Sequence, residues 1–334
     1  GISVFGQGIN TINNNTISKL SVNIASGNNA LIGIYGYYGS YLITNNTIRD
    51  LTNLSTNNSQ SNYGFSYGNP VNSETAPAIS GIYIQPTTAN SLNSISNNRV
   101  FNFYRPVVQS TSNYVRGIYF TNTNVNINVT GNYVNNFVNG PSNTGGYIYG
   151  IGQYTGYGQI NFLNNIISLG GDFPALTIFG ASFNSTDGNK LNAHYNTINI
   201  YGKSPSASST DYAMYAPIPA GTIKNIQNNF FVNTRTNTST SSTLYHYGLY
   251  LNDNIPQNAL TLNNNNYYVG TGYGRALGYN SYALTSVPLI SGFDANSVST
   301  TPNFSNPTGT SPYEYKTGSL FNGLTVSATN VDYT

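Results

Sequence analysis

A short block, apolar-x-Asn-Asn-x-apolar, returns along most of this chain, and its spacing restricts the fold more than any other feature. Clear copies are Ile12–Ile17, Ile43–Ile48, Ile95–Val100, Phe162–Ile167 and Ile226–Phe231, with looser ones at Val129–Val134, Ala193–Ile198 and Leu262–Tyr267. The second Asn falls at Asn15, Asn46, Asn98, Asn132, Asn165, Asn196, Asn229 and Asn265, at successive spacings of 31, 52, 34, 33, 31, 33 and 36 residues. A second block lies between copies of the first: Gly33-Ile34-Tyr35, Gly81-Ile82-Tyr83, Gly117-Ile118-Tyr119 and Gly248-Leu249-Tyr250. Degenerate versions are Gly150-Ile151-Gly152, Thr177-Ile178-Phe179, Ala213-Met214-Tyr215 and Ala276-Leu277-Gly278. Two phased blocks at one period near 33 residues mark a solenoid, in which each repeat buries its apolar side only against its neighbours.

The blocks are short, β-branched or aromatic, and bounded by Gly, Asn and Ser, which is strand chemistry. Helical repeats of similar period need long stretches of Ala, Leu, Glu and Lys, and none occurs. The expected fold is therefore all-β: a right-handed parallel β-helix of about eight coils over residues 1–287. The long spacing reads as a loop inserted near residues 53–77, and residues 288–334 read as a closing segment. Transmembrane β-barrel strands would alternate over about 9–11 residues between hairpin turns, a rhythm the phased Asn block does not follow.

In such a solenoid equivalent residues stack at about 4.8 Å. Ile12, Ile43 and Ile95 should form one interior column, Ile17, Ile48 and Val100 a second, and Ile34, Ile82 and Ile118 a third. Asn suits the corner because it tolerates the left-handed backbone region, and stacked amides can bond from coil to coil as a ladder. Lys19 and Asp50 follow Asn15 and Asn46 at the same offset, with Asn102 and Asn136 next. They read as a surface ion pair continued by an Asn column, worth about 0–1 kcal/mol.

The two blocks resemble the parallel β-helix repeats of the pectate-lyase-like superfold, in particular the Asn-rich surface proteins exported by type IX secretion in Bacteroidetes-type bacteria. The resemblance spans about residues 9–280, and Asp294-Ala295-Asn296-Ser297 with Thr301-Pro302-Asn303-Phe304 resembles the segment that closes such modules. It implies an extracellular or cell-surface location. It implies no activity, because this superfold carries lyases, hydrolases, adhesins and tailspikes alike. The sorting domain that usually follows in that family is not in this sequence, so the chain reads as a processed product or a piece of a larger surface protein.

Charge bears on chemistry. Only 6% of residues are charged and the net charge is +2, while Asn numbers 56 and Tyr 30. Scattered basic residues offer no phosphate-binding face, so nucleic acid is not an expected partner. No apolar run approaches the length of a membrane-spanning helix. Without Cys there is neither a disulfide framework nor a thiolate. The nine acidic residues, Asp50, Glu74, Asp172, Asp187, Asp211, Asp253, Asp294, Glu314 and Asp332, pair at no common offset. Glycoside hydrolysis generally needs two carboxylates about 5–9.5 Å apart, and a Ca²⁺-dependent lyase needs a cluster of oxygen ligands. His194 and His246 read as surface or ladder residues. The expectation is no catalytic residue, no metal and no cofactor; a lyase or hydrolase would require the inserted loops to assemble an acid–base pair.

One feature remains for function. Strand side chains alternate, so the residue after each inward Ile should point outward. That sets Tyr35, Tyr83, Tyr119, Phe179, Tyr215 and Tyr250 on one exposed face, interrupted at Gly152 and flanked by further Tyr. Aromatic planes near amides suit sugar rings, and the same rings also stabilise one another as cross-strand neighbours. The resulting reading is a non-enzymatic surface module that adheres to or binds a polysaccharide or surface glycan. Its alternatives are a structural subunit of a surface fibre, with other copies as partners, or a carried cargo of the secretion system.

Overall fold

In the computed structural model the chain winds strand by strand into a right-handed parallel β-helix of three sheets. The structure describes residues 1–23, 30–55, 78–87, 92–106, 113–121, 125–140, 146–154, 158–172, 177–184, 190–204, 209–217, 222–237, 245–251, 259–272, 274–279, 282–284 and 294–302, together with 304–306, 308, 311 and 315. One coil runs through Leu31–Tyr37, Ser40–Thr44 and Thr47–Asn53, and the next through Ile79–Gln85, Leu92–Ser96 and Arg99–Arg105. Among the described residues the first face collects ten strands, the second eight and the third nine, and apart from the short strand Tyr282–Leu284 neighbours come from successive coils. Pairing is parallel throughout these ladders except where Tyr282–Leu284 folds back antiparallel on Gly274–Tyr279. The inserted stretch at 56–77 lies outside the described residues. Its flanks meet, since Asn53 Nδ2 donates to the Ala78 carbonyl at 2.8 Å.

The interior consists of the expected columns. Ile34, Ile82, Ile118 and Ile151 are in register on the first face, Ile12, Ile43, Ile95 and Val129 on the second, and Ile17, Ile48, Val100 and Val134 on the third. Most are completely buried, each worth about 1.5–3 kcal/mol. The Gly of the second block has a packing reason. A Cβ on Gly117 would stand 2.4 Å from the Gly150 carbonyl oxygen and 2.8 Å from Val134 Cγ1, so only Gly lets the first face approach the third so closely. Gly81, Gly150 and Gly180 are confined in the same way.

The Asn-Asn pair divides its labour. Its first member takes the left-handed turn, with φ of 57° at Asn14, 55° at Asn45, 55° at Asn97, 53° at Asn164 and 58° at Asn228. Gly131 and Tyr195 occupy this position in the two coils that lack the first Asn. The second member points inward and bonds to the next coil. Asn46 Nδ2 donates to Asn98 Oδ1, Asn98 to Asn132, Asn132 to Asn165 and Asn165 to Asn196, each at 3.0 Å. Asn15 joins Asn46 at one end, and Asn196, Asn229 and Asn265 continue the series at the other. Each backbone N–H in the series, from Asn15 to Asn229, also donates to the next Oδ1.

The closing segment takes the place of a further rung. Asn265 N–H donates to Ser297 Oγ at 2.8 Å, and the Ser297 hydroxyl donates to Asp294 Oδ1. Val298 bridges Asn266 in parallel, and Asn266 exchanges two bonds with the backbone of Thr300. Burial pushes the Asp294 carboxyl up to about 6.

Charged residues depart from expectation in two places. Asp50 pairs with Arg49 at 2.7 Å and accepts from Asn102 at 3.0 Å, rather than forming the anticipated pair with Lys19. Lys19, Asp50, Asn102 and Asn136 instead share a second left-handed column, with φ of 57°, 55°, 59° and 55°. His246 is not a surface or ladder residue. It lies fully buried with Nδ1 2.8 Å from Asp211 Oδ2, while Arg235 Nη1 donates to Asp211 Oδ1 at 2.9 Å. Leu31, Ile79, Val115, Ile148 and Ile178 form one interior column, and Asp211 and His246 continue it. Lys224 likewise stands between Leu191 and Leu260 on an inward column, where burial lowers its amine to about 7. The seventh coil thus has Asp211, Lys224 and Arg235 buried in the body of the solenoid.

Candidate functional site

The outer side of the first face carries two adjoining aromatic columns instead of one. The first, in register, is Tyr35, Tyr83, Tyr119, Gly152, Ser182, Tyr215, Tyr250 and Gly278. The second runs Ser80, Arg116, Tyr149, Phe179, Tyr212, Tyr247 and Arg275. Phe179 therefore does not belong with Tyr119 and Tyr215, as the local pattern suggested. Ser182 holds that place, because the coil is aligned by the confined Gly180 and Ala181, three residues beyond Thr177-Ile178.

Exposure divides the expected face in two. Tyr35, Tyr83 and Tyr119 retain only 7%, 4% and 3% of their accessible surface. They are buried and offer no platform, which corrects the expectation of exposure. Phe5 packs edge-on against Tyr35 at 5.6 Å, and Tyr35 and Tyr83 stack at 5.7 Å. The Arg116 guanidinium sits 4.0 Å above the Tyr119 ring and is itself buried. Phe179, Tyr215 and Tyr250 are half-buried, as are Tyr149, Tyr212 and Tyr247.

The two columns orient their rings differently. In the second, Tyr149 and Phe179 lie 4.7 Å apart, Phe179 and Tyr212 5.1 Å, and Tyr212 and Tyr247 5.5 Å, with planes within 7–11° of parallel. Tyr215 and Tyr250 are parallel to each other at 5.4 Å. Tyr250 stands at 74° to both Tyr212 and Tyr247. Such edge-to-face contacts contribute about 0.5–1.5 kcal/mol per pair beyond burial. Tyr250 leans over the next coil, where a Cβ on Gly278 would fall 2.5 Å from its Cδ2. Tyr119 leans over Gly152 in the same way, at 2.7 Å from its Cε2. The glycines that interrupt the first column thus make room for the rings before them.

Burial keeps Tyr212, Tyr215 and Tyr247 protonated. Burial and neighbouring phenols raise Tyr212 and Tyr215, and burial raises Tyr247 to about 12, with Arg275 acting in the opposite direction. They act as neutral hydroxyls throughout the physiological range.

Among the described residues no group of three or more His, Cys, Asp or Glu is placed to hold a metal, and no helix is long and apolar enough to cross a membrane. His194 is half-buried, and burial lowers its imidazole. Glu74, Asp187, Asp253, Glu314 and Asp332 lie outside the described residues. Comparison of the chain with protein-family models, with curated proteins and with solved structures found no match.

Proposed function

We propose that this chain is a non-enzymatic, extracellular module of a bacterial surface protein that binds glycan through the aromatic face. The observation that carries the reading is the second column with its neighbours Tyr215 and Tyr250. The interior is already filled by aliphatic columns, so the core does not require these six rings, yet they line the outside of one sheet in continuous contact. Half-exposed rings beside one another present apolar surface and phenolic hydroxyls together, the combination a sugar ring needs. The non-enzymatic part is supported by the described carboxylates: Asp50 is tied to Arg49, Asp211 and Asp294 are buried, and Asp172 is exposed. The proposed place among type IX secretion cargo is supported by the double block and the closing segment. End-to-end stacking into a fibre is less favoured, because Asp294–Thr300 covers the edge that a further coil would need.

The test is retention of the purified module on a panel of neutral and acidic polysaccharides, with release of new chain ends scored in parallel. Retention without cleavage, lost when Tyr215→Ala and Tyr250→Ala are combined, is the expected result. Release of reducing or unsaturated ends would overturn the non-enzymatic reading, and no retention would overturn glycan binding.

A further inference from the structure

We propose that the C-terminal end of the aromatic face is a subsite for an anionic sugar, with Tyr250 as the ring platform and Arg275 as the charge that holds a carboxylate or sulfate. This rests on the glycan-binding reading and gives it a place and a chemistry.

The argument proceeds by elimination along the face. Tyr35, Tyr83 and Tyr119 are buried, so their rings are not offered. Tyr149, Phe179 and Tyr212 are stacked within one column, and each has a parallel neighbour covering its face. Tyr250 is different. It lies at a steep angle to that column, Tyr215 is its one parallel neighbour among the described rings, and it leans outward over Gly278 of the next coil while remaining half-exposed. Turned out of the stack and half-buried, the Tyr250 ring keeps an outer surface that a planar ligand can meet.

Arg275 supplies the second element. It follows Tyr247 in the second column and is in the same strand as Gly278. Its guanidinium lies 3.9 Å from the centre of the Tyr245 ring, and its Nη1 donates to the Gly272 and Gly274 carbonyls at 2.9 and 2.8 Å. The group is held in place before any ligand arrives. A guanidinium has five N–H donors in a planar fork; with both hydrogens of Nη1 committed, Nε–H and Nη2 form the edge that matches a carboxylate or sulfate bidentately. Its influence already reaches the face, since its charge counters the rise at Tyr247. Arg116 provides an internal contrast. It occupies the same column and stacks on Tyr119 with similar geometry, but it is buried. Arg275 is half-buried, and it is the member of the pair that a ligand can reach.

The experiment uses the whole chain and three probes of equal length: a uronic-acid oligosaccharide, the same oligosaccharide with its carboxyls reduced to alcohols, and a sulfated neutral oligosaccharide. Titration calorimetry is expected to show about tenfold tighter binding of the uronate than of its reduced form, weakening as salt is raised. Arg275→Gln should abolish that preference and leave the reduced probe's affinity unchanged, while Arg275→Lys should keep only part of it. Gly278→Val, which displaces the Tyr250 ring, should weaken every probe. Equal affinity for uronate and sulfate assigns the site to either anion, and preference for one assigns it to that anion. Binding of both uronate and reduced probe without an acid preference would overturn this subsite and leave glycan binding standing. A preference that survives Arg275→Gln would also overturn it. Failure of all three probes to bind would remove the subsite and the proposed function together. Far-ultraviolet circular dichroism of each variant separates a lost contact from a lost fold.

Discussion

Asn97 and Asn98 are the same residue side by side, and replacing each with Gly should have opposite consequences. Asn97 is exposed and sits at φ 55°, a region Gly enters without steric cost. Asn97→Gly should change stability by less than about 1 kcal/mol in either direction. Asn98 is fully buried. Its amide donates to Asn132 Oδ1 at 3.0 Å, to the Ile43 carbonyl at 2.9 Å and to the Ser96 carbonyl at 3.1 Å. Its oxygen accepts from the backbone and the amide of Asn46, both at 3.0 Å. Five contacts disappear in Asn98→Gly, and the buried N–H of Asn46 is left without an acceptor. At a net value near 1 kcal/mol per bond, with some addition for the stranded donor, the loss is about 5 kcal/mol. Repeat solenoids need not unfold in one step, so denaturant melting should be joined to hydrogen exchange. The Asn46 amide should lose protection in Asn98→Gly and keep it in Asn97→Gly. Equal shifts in the two variants, or an Asn46 amide that stays protected without Asn98, would refute the division of labour between the two Asn.

Three further outcomes are expected. Gly117→Ala should destabilise by about 1–3 kcal/mol, because its Cβ would meet the backbone of Gly150 and no flexible atom can yield; chemical denaturation measures it, and a neutral result would mean the two faces can separate at no cost. Asp211→Ala should destabilise by about 3–5 kcal/mol by leaving Arg235 and His246 buried without their shared anion, and a silent substitution would show that solvent reaches this cluster. The Asp294 carboxyl stands at about 6 in the fold against an ordinary 3.8, so between those values the folded state holds more protons than the unfolded one. Stability contributed by the closing segment should therefore fall as pH rises through that window and level off above about 6. Asp294→Asn should remove the pH step in a melting series, and a step that persists would assign it to another group.

Much of this architecture could be read from the chain, because a solenoid repeats its instructions. The inward Ile columns and the Asn rungs each recur at one offset, so a single alignment locates them. Phe179 was misplaced for a local reason. Thr177-Ile178-Phe179 has the β-branched and aromatic character of the second block, whereas the true match, Gly180-Ala181-Ser182, keeps only its Gly. The signal that corrects it is steric, since the Gly must face the neighbouring sheet at every coil. Burial of Tyr35, Tyr83 and Tyr119 was not legible because alternation tells which side of a sheet a residue takes, not what rests upon that side. The burial of Asp211, His246 and Lys224 was not legible because each interrupts a column that is otherwise apolar. Read one repeat at a time, a lone charge resembles a loop residue; its burial emerges only down the column, from Ile178 to Asp211 to His246.

The rungs also confer a direction. From Asn15 to Asn229 every side-chain amide donates to the Asn oxygen of the coil that follows, and from Asn46 on it also donates back to a carbonyl of the coil before; at Asn265 the backbone N–H carries the series on to the Ser297 hydroxyl and an oxygen of Asp294. The amide dipoles are thus aligned rather than alternating, and each bond polarises the next. The rod has a head and a tail, with the donor ends pointing toward a carboxyl group that terminates the series. A coil inserted between two rungs continues the series if it brings its own Asn. Reversing one rung would set two donors or two acceptors face to face. Length is therefore free to vary in such a molecule, while polarity is not.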